Sequence, residues 1–259
     1  VKTAKETIVP TDKIYKLFKE KYMITKNISV IPSGIDIERF FEENVEKDKV
    51  DKIKKKYGIT KEDFTIIFVG RLAPEKNIEF LLKAQQKLVE EKINNIKLLI
   101  VGDGPDKENY INISRKLNIF DKVIFTGKIE QEEIQYYYQC ADAFVTASNS
   151  ETQGLTVIEA MAAGVVPICI NDMAFIDMLP KKSLFSNQNE YINRLITFSK
   201  DEKIRKEYKA EIRKRAEEYS SSTYAQRVLN VYNGVLNGGN NEKSKGLKNE
   251  KKKMVEEFV

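Results

Sequence analysis

The segment Thr65-Ile66-Ile67-Phe68-Val69, followed by Gly70-Arg71-Leu72, carries the strongest indication of the fold in the sequence. Its first five residues are apolar or β-branched with no polar alternation, which is typical of a parallel strand covered by helices on both faces. Similar short runs recur, each followed by a longer segment of helical periodicity, at residues 28–32, 97–101, 123–127, 143–147 and 166–170. This alternation predicts an α/β fold with a doubly wound parallel sheet.

The composition of the 259-residue chain is that of an ordinary globular protein, with 41% hydrophobic and 32% charged residues. The net charge of +5 is spread along the sequence, and the basic residues are mixed with acids, so no nucleic-acid partner is expected. Cys140 and Cys169 lie in apolar stretches and are interpreted as buried thiols of a cytoplasmic protein. No apolar run approaches the roughly 18 residues of a membrane-spanning helix, so none is predicted.

The sequence contains no histidine. A Ser-His-Asp triad, a Cys-His dyad and a His-rich metal site are therefore excluded within this chain. Any chemistry has to come from carboxylates, Lys, Arg, hydroxyls, backbone amides or the substrate itself.

Changes in composition divide the chain into four predicted segments. The first holds a helix with Thr11 as its N-cap and then a strand, and it is interpreted as the end of a preceding domain with its linker. The second carries the βα alternation, including a helix at about 75–91. Charged C-terminal helices follow, and then a charged tail that is expected to be disordered. The boundaries are 1–42, 43–199, 200–237 and 238–259.

Ligands bind beyond the carboxyl ends of the strands in an open parallel sheet, so the residues after each strand are candidates for a site. Glycines there let a backbone approach a ligand closely, and cations there favour an anion. Such residues occur in Gly70-Arg71-Leu72 with Glu75-Lys76-Asn77, in Gly102-Asp103-Gly104-Pro105, in Thr126-Gly127-Lys128 and in residues 148–155. With Arg71 and Lys76 on one edge, the sequence predicts an anion-binding site.

The loop at residues 148–155 precedes a predicted helix at about 155–163. The free backbone N–H groups of such a helix N-terminus favour phosphate. Glu151 lies before the helix and Glu159 inside it, with seven residues between them. The two carboxylates cannot stack as i,i+4 neighbours, so they are expected to face different parts of a ligand, such as a sugar and a ribose.

Each of these features also has a purely structural explanation. Gly102-Asp103-Gly104 is in many proteins only a turn after a strand, and an isolated Arg71 or Lys76 is more often a solvated surface charge. Glu159 stands in an apolar stretch, where a buried carboxylate costs several kcal/mol unless it is paired or hydrogen-bonded. Glu159 therefore needs either a protein partner or a ligand.

The pairing of Gly70-Arg71-Leu72-Ala73-Pro74-Glu75-Lys76-Asn77 with Glu151 and Glu159 resembles the retaining glycosyltransferases of family 4. Ile31-Pro32-Ser33-Gly34-Ile35-Asp36 and Val101-Gly102-Asp103-Gly104-Pro105 support the resemblance, which covers roughly residues 11–236. It implies a GT-B fold, made of two facing Rossmann-like domains. This chain would hold the C-terminal, donor-binding domain, and the N-terminal acceptor domain would be missing from it.

The resemblance implies transfer of a hexose from a UDP-sugar and assigns roles by position. Arg71 and Lys76 would hold the donor diphosphate and stabilise the charge that develops as the nucleotide leaves, while Glu151 would contact the transferred sugar. Glu159 would accept from the ribose, and the base would lie near residues 126–129. No bound cofactor and no essential metal are implied, because the leaving phosphate can deprotonate the acceptor. The donor-binding residues would be Gly70, Gly102, Asp103, Gly104, Lys128, Ile129, Gln153, Gly154, Leu155, Thr156 and Glu159.

Ile8-Val9-Pro10-Thr11-Asp12-Lys13 and Glu151-Thr152-Gln153-Gly154-Leu155-Thr156 are similar to segments of bacterial glucosyltransferases that glycosylate diacylglycerol from UDP-glucose. This implies a lipid acceptor and a peripheral position on the inner face of the membrane. Two departures from the family pattern are evident. Gly164-Val165-Val166-Pro167 has one residue more than expected between Gly and Pro, which predicts a shifted turn. Residues 171–187 lack the usual glycine turns, which predicts altered donor contacts.

Two other functional classes are alternatives to this interpretation. A nicotinamide-dependent oxidoreductase would share the doubly wound sheet, but it requires Gly-x-Gly-x-x-Gly after the first strand and an acid about 20 residues later. That run does not occur in the sequence. A non-catalytic fragment or subunit that binds a nucleotide sugar and needs a partner chain stays open as the alternative.

Overall fold

The computed structural model of the chain describes residues 4–24 and 26–237. Its N-terminal part has two short parallel strands, β1 (Thr7–Val9) and β2 (Ile28–Val30), joined by helix α1 (Asp12–Lys21). The predicted N-cap is confirmed, because the Thr11 hydroxyl accepts from the Ile14 amide at 3.4 Å. Strand β1 is too short for its periodicity to be read from the sequence. The charged tail predicted at 238–259 lies outside the described residues.

A six-stranded parallel sheet forms the centre of the described chain and confirms the predicted doubly wound α/β fold. Its spatial order is β5-β4-β3-β6-β7-β8. The strands are β3 (Phe64–Val69), β4 (Ile96–Val101), β5 (Val123–Gly127), β6 (Ala143–Thr146), β7 (Val166–Ile170) and β8 (Leu184–Phe185).

Helices connect and cover the strands. Helix α3 packs against α4 and α7, and α6 packs against α8. Buried between these layers are the central strands, including Ile66, Ile67 and Phe68, as their continuous apolar sequence predicts. The helices are α2 (Lys47–Lys56), α3 (Ile78–Glu90), α4 (Lys107–Lys116), α5 (Ile134–Tyr138), α6 (Leu155–Ala162), α7 (Gln188–Lys200), α8 (Glu202–Ala216) and α9 (Ser221–Leu236).

The strand order reverses beside β3. Strands β4 and β5 extend the sheet on one side of β3, whereas β6, β7 and β8 extend it on the other. A crevice opens at such a reversal, because the connections after β3 and β6 leave the sheet in opposite directions. The residues that follow β3 and β6 are therefore placed at the expected ligand-binding edge.

Helix α3 begins later than the sequence pattern predicts. Residues Pro74–Lys76 form a short 3-10 turn, and Asn77 then adopts a left-handed conformation with φ of 51° before Ile78 starts the α-helix. Asn tolerates this conformation better than most residues. The turn presents Lys76 ahead of the helix rather than within it.

The two departures from the family pattern are accommodated locally. Gly164 ends α6 with φ of 69°, and the Val165 amide donates to Ala160 O at 2.8 Å, so that Pro167 enters β7 opposite Phe144. Residues 171–187 contain β8, and the Asn171 amide donates to the carbonyl oxygen of Phe185 at 2.7 Å. This segment thus holds a short strand pairing, and its altered donor contacts stay a prediction.

Candidate functional site

The loops after β3 and β6 are joined directly across the crevice. The backbone amide of Asn149 donates to the carbonyl oxygen of Glu75 at 3.0 Å, and the Ser148 hydroxyl donates to the same oxygen at 3.4 Å. Next to them, Lys76 Nζ lies 2.6 Å from Glu151 Oε1. The structure thus brings together Lys76 and Glu151, which are 75 residues apart in the sequence.

The Lys76–Glu151 pair is partly shielded from water, with side chains 22% and 17% exposed. Coulomb attraction at such a position is stronger than on the open surface, because the effective dielectric constant is lower. The pair sets a cation beside a hydrogen-bond acceptor. This combination suits a ligand that carries both an anionic group and hydroxyls.

Arg71 lies at the same edge but is far more open, with 66% of its side chain exposed. Its guanidinium contacts the Glu75 carboxylate four residues later. The pKa of Glu75 is lowered by a hydrogen bond from its own backbone amide and by this guanidinium. Arg71 is thus a water-accessible cation that a carboxylate holds at the rim of the crevice.

The glycines after β4 let two loops approach each other closely. A β-carbon on Gly102 would overlap the carbonyl oxygen of Gly70, and one on Gly104 would lie 2.7 Å from Leu72 N. The Leu72 amide donates to Asp103 O at 3.0 Å, which ties the loops together. The close approach of the loops gives both glycines a structural role, and their predicted donor contacts stay predictions.

Asp103 lies beside the loop after β5. Its carboxylate accepts from the Gly104 amide at 2.8 Å and from Lys107 Nζ at 3.1 Å, and its pKa is lowered mainly by Lys107 and to a smaller degree by the Lys128 backbone. The Lys128 side chain is 78% exposed, and Ile129 is half-buried against the core. Asp103 therefore lies close to the backbone of Gly127 and Lys128.

The backbone at the start of α6 is suited to an anion. Gly154 precedes the helix with φ of 81°, and a β-carbon there would lie 2.5 Å from the ring of Phe175. The Val157 amide donates to Gly154 O at 2.9 Å and begins the helical bonds. The amides of Leu155 and Thr156 precede that bond, at the positive end of the helix dipole.

Gln153 is buried and its side chain hydrogen-bonds to the N-terminal part of the chain. Its side-chain oxygen accepts from the Ser33 amide at 2.9 Å, and its side-chain nitrogen donates to the Ser33 carbonyl at 2.9 Å. Both ends of the amide are thus engaged by protein. The predicted donor contact of Gln153 stays a prediction, and it would have to involve the backbone.

Glu159 has a protein partner, as its apolar surroundings require. The hydroxyl of Tyr138 donates to Glu159 Oε2 at 2.7 Å, and the Tyr138 ring is fully buried. Burial raises the pKa of Glu159, while the Tyr138 hydrogen bond opposes that shift. Glu151 and Glu159 therefore face different partners, and the predicted ribose contact of Glu159 is not tested by this arrangement.

The raised pKa of Glu159 predicts a pH-dependent stability. The neutral carboxyl contributes fully below the pKa of an unfolded glutamate, about 4.3, and this contribution is lost as the pH rises through the higher folded pKa. Glu159→Gln keeps an acceptor for Tyr138 but cannot ionise. The melting temperature of the variant minus that of the wild type should therefore rise from about pH 4 to about pH 8.

Glu42→Gln is the control for this prediction. The Lys209 ammonium lowers the pKa of Glu42, so the Glu42 carboxylate stabilises the fold at higher pH and the sign of the trend is opposite. A difference between Glu159→Gln and the wild type that does not change with pH would contradict the assignment.

Two partners of the site were not recognised as such from the sequence. Lys13 Nζ contacts the carbonyl oxygen of Glu151 at 2.8 Å, and Tyr138 holds Glu159. Lys13 belongs to the segment Ile8–Lys13, which carries part of the family resemblance. This resemblance is the sequence signal that could have identified Lys13 as a residue of the site. Tyr138 follows two other tyrosines, Tyr136 and Tyr137, and nothing local distinguishes its hydroxyl.

Three further features of the described residues concern metal ligands, membrane-spanning helices and a groove. No group of three or more His, Cys, Asp or Glu side chains there could hold a metal ion. Within residues 4–24 and 26–237, none of the helices has both the length and the apolar character needed to cross a membrane. A groove of about 380 Å³ lies between α1 and the residues Met173, Ile176 and Asp177.

Solved structures with the same architecture are glycosyltransferases. One from Rickettsia africae matches with a TM-score of 0.81 and 19% identity, covering 91% of this chain and 64% of that chain. HepE from Anabaena, solved in complex with UDP-glucose, matches with a TM-score of 0.78 and 17% identity, covering 89% and 64%. The strand order and the crevice thus define a Rossmann-like domain of the GT-B fold, as the resemblance implies.

The family model described as glycosyl transferases group 1 matches residues 49–215, and the chain belongs to this family. An alpha-monoglucosyldiacylglycerol synthase of Acholeplasma laidlawii is 31% identical over 243 residues, 92% of this chain and 60% of the relative. The enzyme of that name from Streptococcus pneumoniae is 33% identical over 178 residues, 69% of this chain and 40% of the relative. The predicted glycosyltransferase class is confirmed, and the chain spans 60% and 40% of the length of these relatives.

Proposed function

We propose that the chain is the donor-binding half of a retaining, family 4 glycosyltransferase that moves glucose from UDP-glucose to an acceptor hydroxyl. The observation that carries the proposal is the position of Arg71, Lys76 and the amides at the start of α6 in the loops after β3 and β6, which the Lys76–Glu151 contact joins at the strand-order reversal. Cations and free helix amides together favour a diphosphate. Solved relatives of the same fold contain UDP or UDP-glucose, which supports this choice of donor.

In this proposal, Arg71 and Lys76 bind the diphosphate and stabilise the negative charge that grows as UDP leaves the sugar. Fixed cations aimed at a developing charge lower the barrier without reorganising during the reaction. The Leu155 and Gly154 amides add hydrogen bonds to phosphate. Lys76 already faces the crevice through its contact with Glu151.

The remaining proposed roles are contacts with the sugar, the ribose and the base of the donor, and removal of the acceptor proton. The Glu151 carboxylate, oriented by Lys76, accepts from hydroxyls of the transferred sugar, and Glu159 accepts from the ribose through the oxygen that Tyr138 does not engage. The backbone of residues 127–129, which begins beside Asp103, faces the base. The leaving phosphate takes the acceptor proton on the same face of the sugar, which retains the anomeric configuration.

The acceptor is proposed to be a diacylglycerol-type lipid, because the relatives named above are alpha-monoglucosyldiacylglycerol synthases. We further propose that the protein works in the cytoplasm at the inner face of the membrane. Residues 1–42 would belong to an acceptor-binding domain, 43–199 to the donor domain, and the helices of 200–237 would cross back between them. The alternative is a subunit that binds nucleotide sugar and relies on a partner chain for transfer.

Calorimetric titration with UDP, UDP-glucose and NADH tests the proposal. We expect both uridine ligands to bind and NADH not to bind. NADH binding, or no binding of either uridine ligand, would overturn the proposed function. Transfer of labelled glucose by the chain to lipid in diacylglycerol-containing vesicles would favour an enzyme over a binding subunit that relies on a partner chain.

Removing the carboxylate that holds Arg71 should strengthen diphosphate binding. Glu75→Gln frees the guanidinium and removes a negative charge from the rim. Because an exposed pair is worth at most about 1 kcal/mol, UDP should bind about two- to fivefold more tightly. Glu79→Gln, whose partner Lys83 lies on α3, is the matched control and should leave the UDP affinity unchanged. Weaker UDP binding by Glu75→Gln would count against Arg71 as a phosphate ligand.

A further inference from the structure

Three consecutive residues of the loop before α6 are held by the N-terminal part of the chain. Lys13 Nζ donates to the carbonyl oxygen of Glu151 at 2.8 Å, and the Thr11 hydroxyl donates to that of Thr152 at 2.9 Å. The side chain of Gln153 exchanges two hydrogen bonds with the backbone of Ser33. The loop is thus fixed by contacts between residues 120 to 141 positions apart.

Lys13 is the charged member of this set, and Asp172 holds it in place. Its ammonium lies 2.8 Å from each carboxylate oxygen of Asp172, and the Ala174 amide donates to Asp172 Oδ1 at 2.8 Å. The two side chains are 28% and 20% exposed. The Asp172 contacts point the ammonium at Glu151 O, and charge-assisted hydrogen bonds of this kind are short and directional.

Two lysines therefore hold Glu151 at its two ends. Lys13 holds its main-chain oxygen, and Lys76 holds its carboxylate. Loss of the Lys13 contact would let the backbone at Glu151 shift and carry the carboxylate with it. A misplacement of about 1 Å is enough to weaken a positioned catalytic contact severely.

We infer that Lys13, held by Asp172, is a positioning residue that fixes Glu151 toward the transferred sugar. The inference rests on the proposed function, because it assigns Glu151 to the sugar of the donor. Lys13 contacts Glu151 and Asp172 among the described residues, and it contacts none of the proposed ligands of the nucleotide, which are Arg71, Lys76, residues 127–129 and the amides at the start of α6. Lys13 therefore acts on the sugar part of the donor and leaves the affinity for UDP itself nearly unchanged.

The test compares UDP and UDP-glucose binding by the full chain and its Lys13→Met variant. We expect UDP-glucose to bind about tenfold more weakly to Lys13→Met, with a change of less than about threefold for UDP. Asp172→Asn should show the same selective loss to a smaller degree, and Lys13→Arg should recover most of the affinity. Lys16→Met, on the exposed side of the same helix, is the control and should leave both affinities unchanged.

A double variant sharpens the result. If Lys13 acts through Glu151, adding Lys13→Met to Glu151→Gln should weaken UDP-glucose binding no further. Equal weakening of UDP and UDP-glucose, additive effects, or unchanged affinities would each overturn the inference. If Lys13→Met does not fold, Asp172→Asn carries the same comparison. A wild-type chain that binds neither ligand would overturn the proposed function, and this inference with it.

Discussion

Replacing Lys76 by alanine is expected to weaken the binding of UDP and UDP-glucose by about 10- to 150-fold, the effect of losing about 1.5–3 kcal/mol from a charged hydrogen bond. Lys76 is only 22% exposed, so water replaces its ammonium poorly. The substitution also leaves the Glu151 carboxylate without its partner, close to the proposed diphosphate. Arg71→Ala should act in the same direction with a smaller effect, because Arg71 is open to solvent.

The control for Lys76→Ala is Lys83→Ala, which removes an exposed lysine of α3 from its pair with Glu79. Calorimetric titration of both variants measures the difference. The double variant Lys76→Ala/Glu151→Gln should recover part of the UDP affinity, because it removes the unpaired negative charge. Unchanged UDP binding by Lys76→Ala would contradict the assignment of Lys76 to the diphosphate site.

The second large effect concerns stability and does not depend on any ligand. Gly102→Ala is expected to lower the free energy of unfolding by about 3 kcal/mol or more, since overpacking and a strained backbone each cost about 1–3 kcal/mol. Gly102 has φ of 138°, and its β-carbon would overlap the backbone oxygen of Gly70. The Gly70 oxygen is a backbone atom and cannot rotate away as the end of a flexible side chain could. The ends of β3 and β4 would therefore have to separate.

Two other glycines serve as controls in urea or thermal unfolding. Gly58 also has a positive φ, of 63°, but a β-carbon there meets nothing within 4 Å, so Gly58→Ala should cost only the backbone strain of about 1–2 kcal/mol. Gly234 lies in α9 with open space around it, and Gly234→Ala should stabilise the helix by up to about 1 kcal/mol. A Gly102→Ala variant as stable as Gly58→Ala would contradict the close approach of the two loops.

The fold could be predicted because its signals are local. The apolar run of β3 and the residues of the helix at α6 carry their periodicity in the sequence itself. The edge where Arg71, Lys76 and Glu151 meet follows from the topology, since the carboxyl ends of parallel strands share one side of a sheet. The late start of α3 required the left-handed conformation of Asn77, which the apolar stripe does not reveal.

The contacts that support the site could not be predicted, because they join distant parts of the chain. Gln153 reaches Ser33 and Lys13 reaches Asp172, across 120 and 159 residues. From the sequence alone, Gly102 could allow the close approach of either a ligand or a neighbouring backbone. The position of Gly70 in the structure shows the approach of the backbone. The role of a polar side chain in such a place can be assigned only when its partners in the folded structure are known.

A crystal structure of the chain with UDP-glucose would show whether the donor binds at the crevice between the loops after β3 and β6. We expect the diphosphate within hydrogen-bond distance of Arg71, Lys76 and the amides that begin α6, with the sugar against Glu151. A nucleotide sugar bound elsewhere, for instance in the groove between α1 and Met173, would contradict the account.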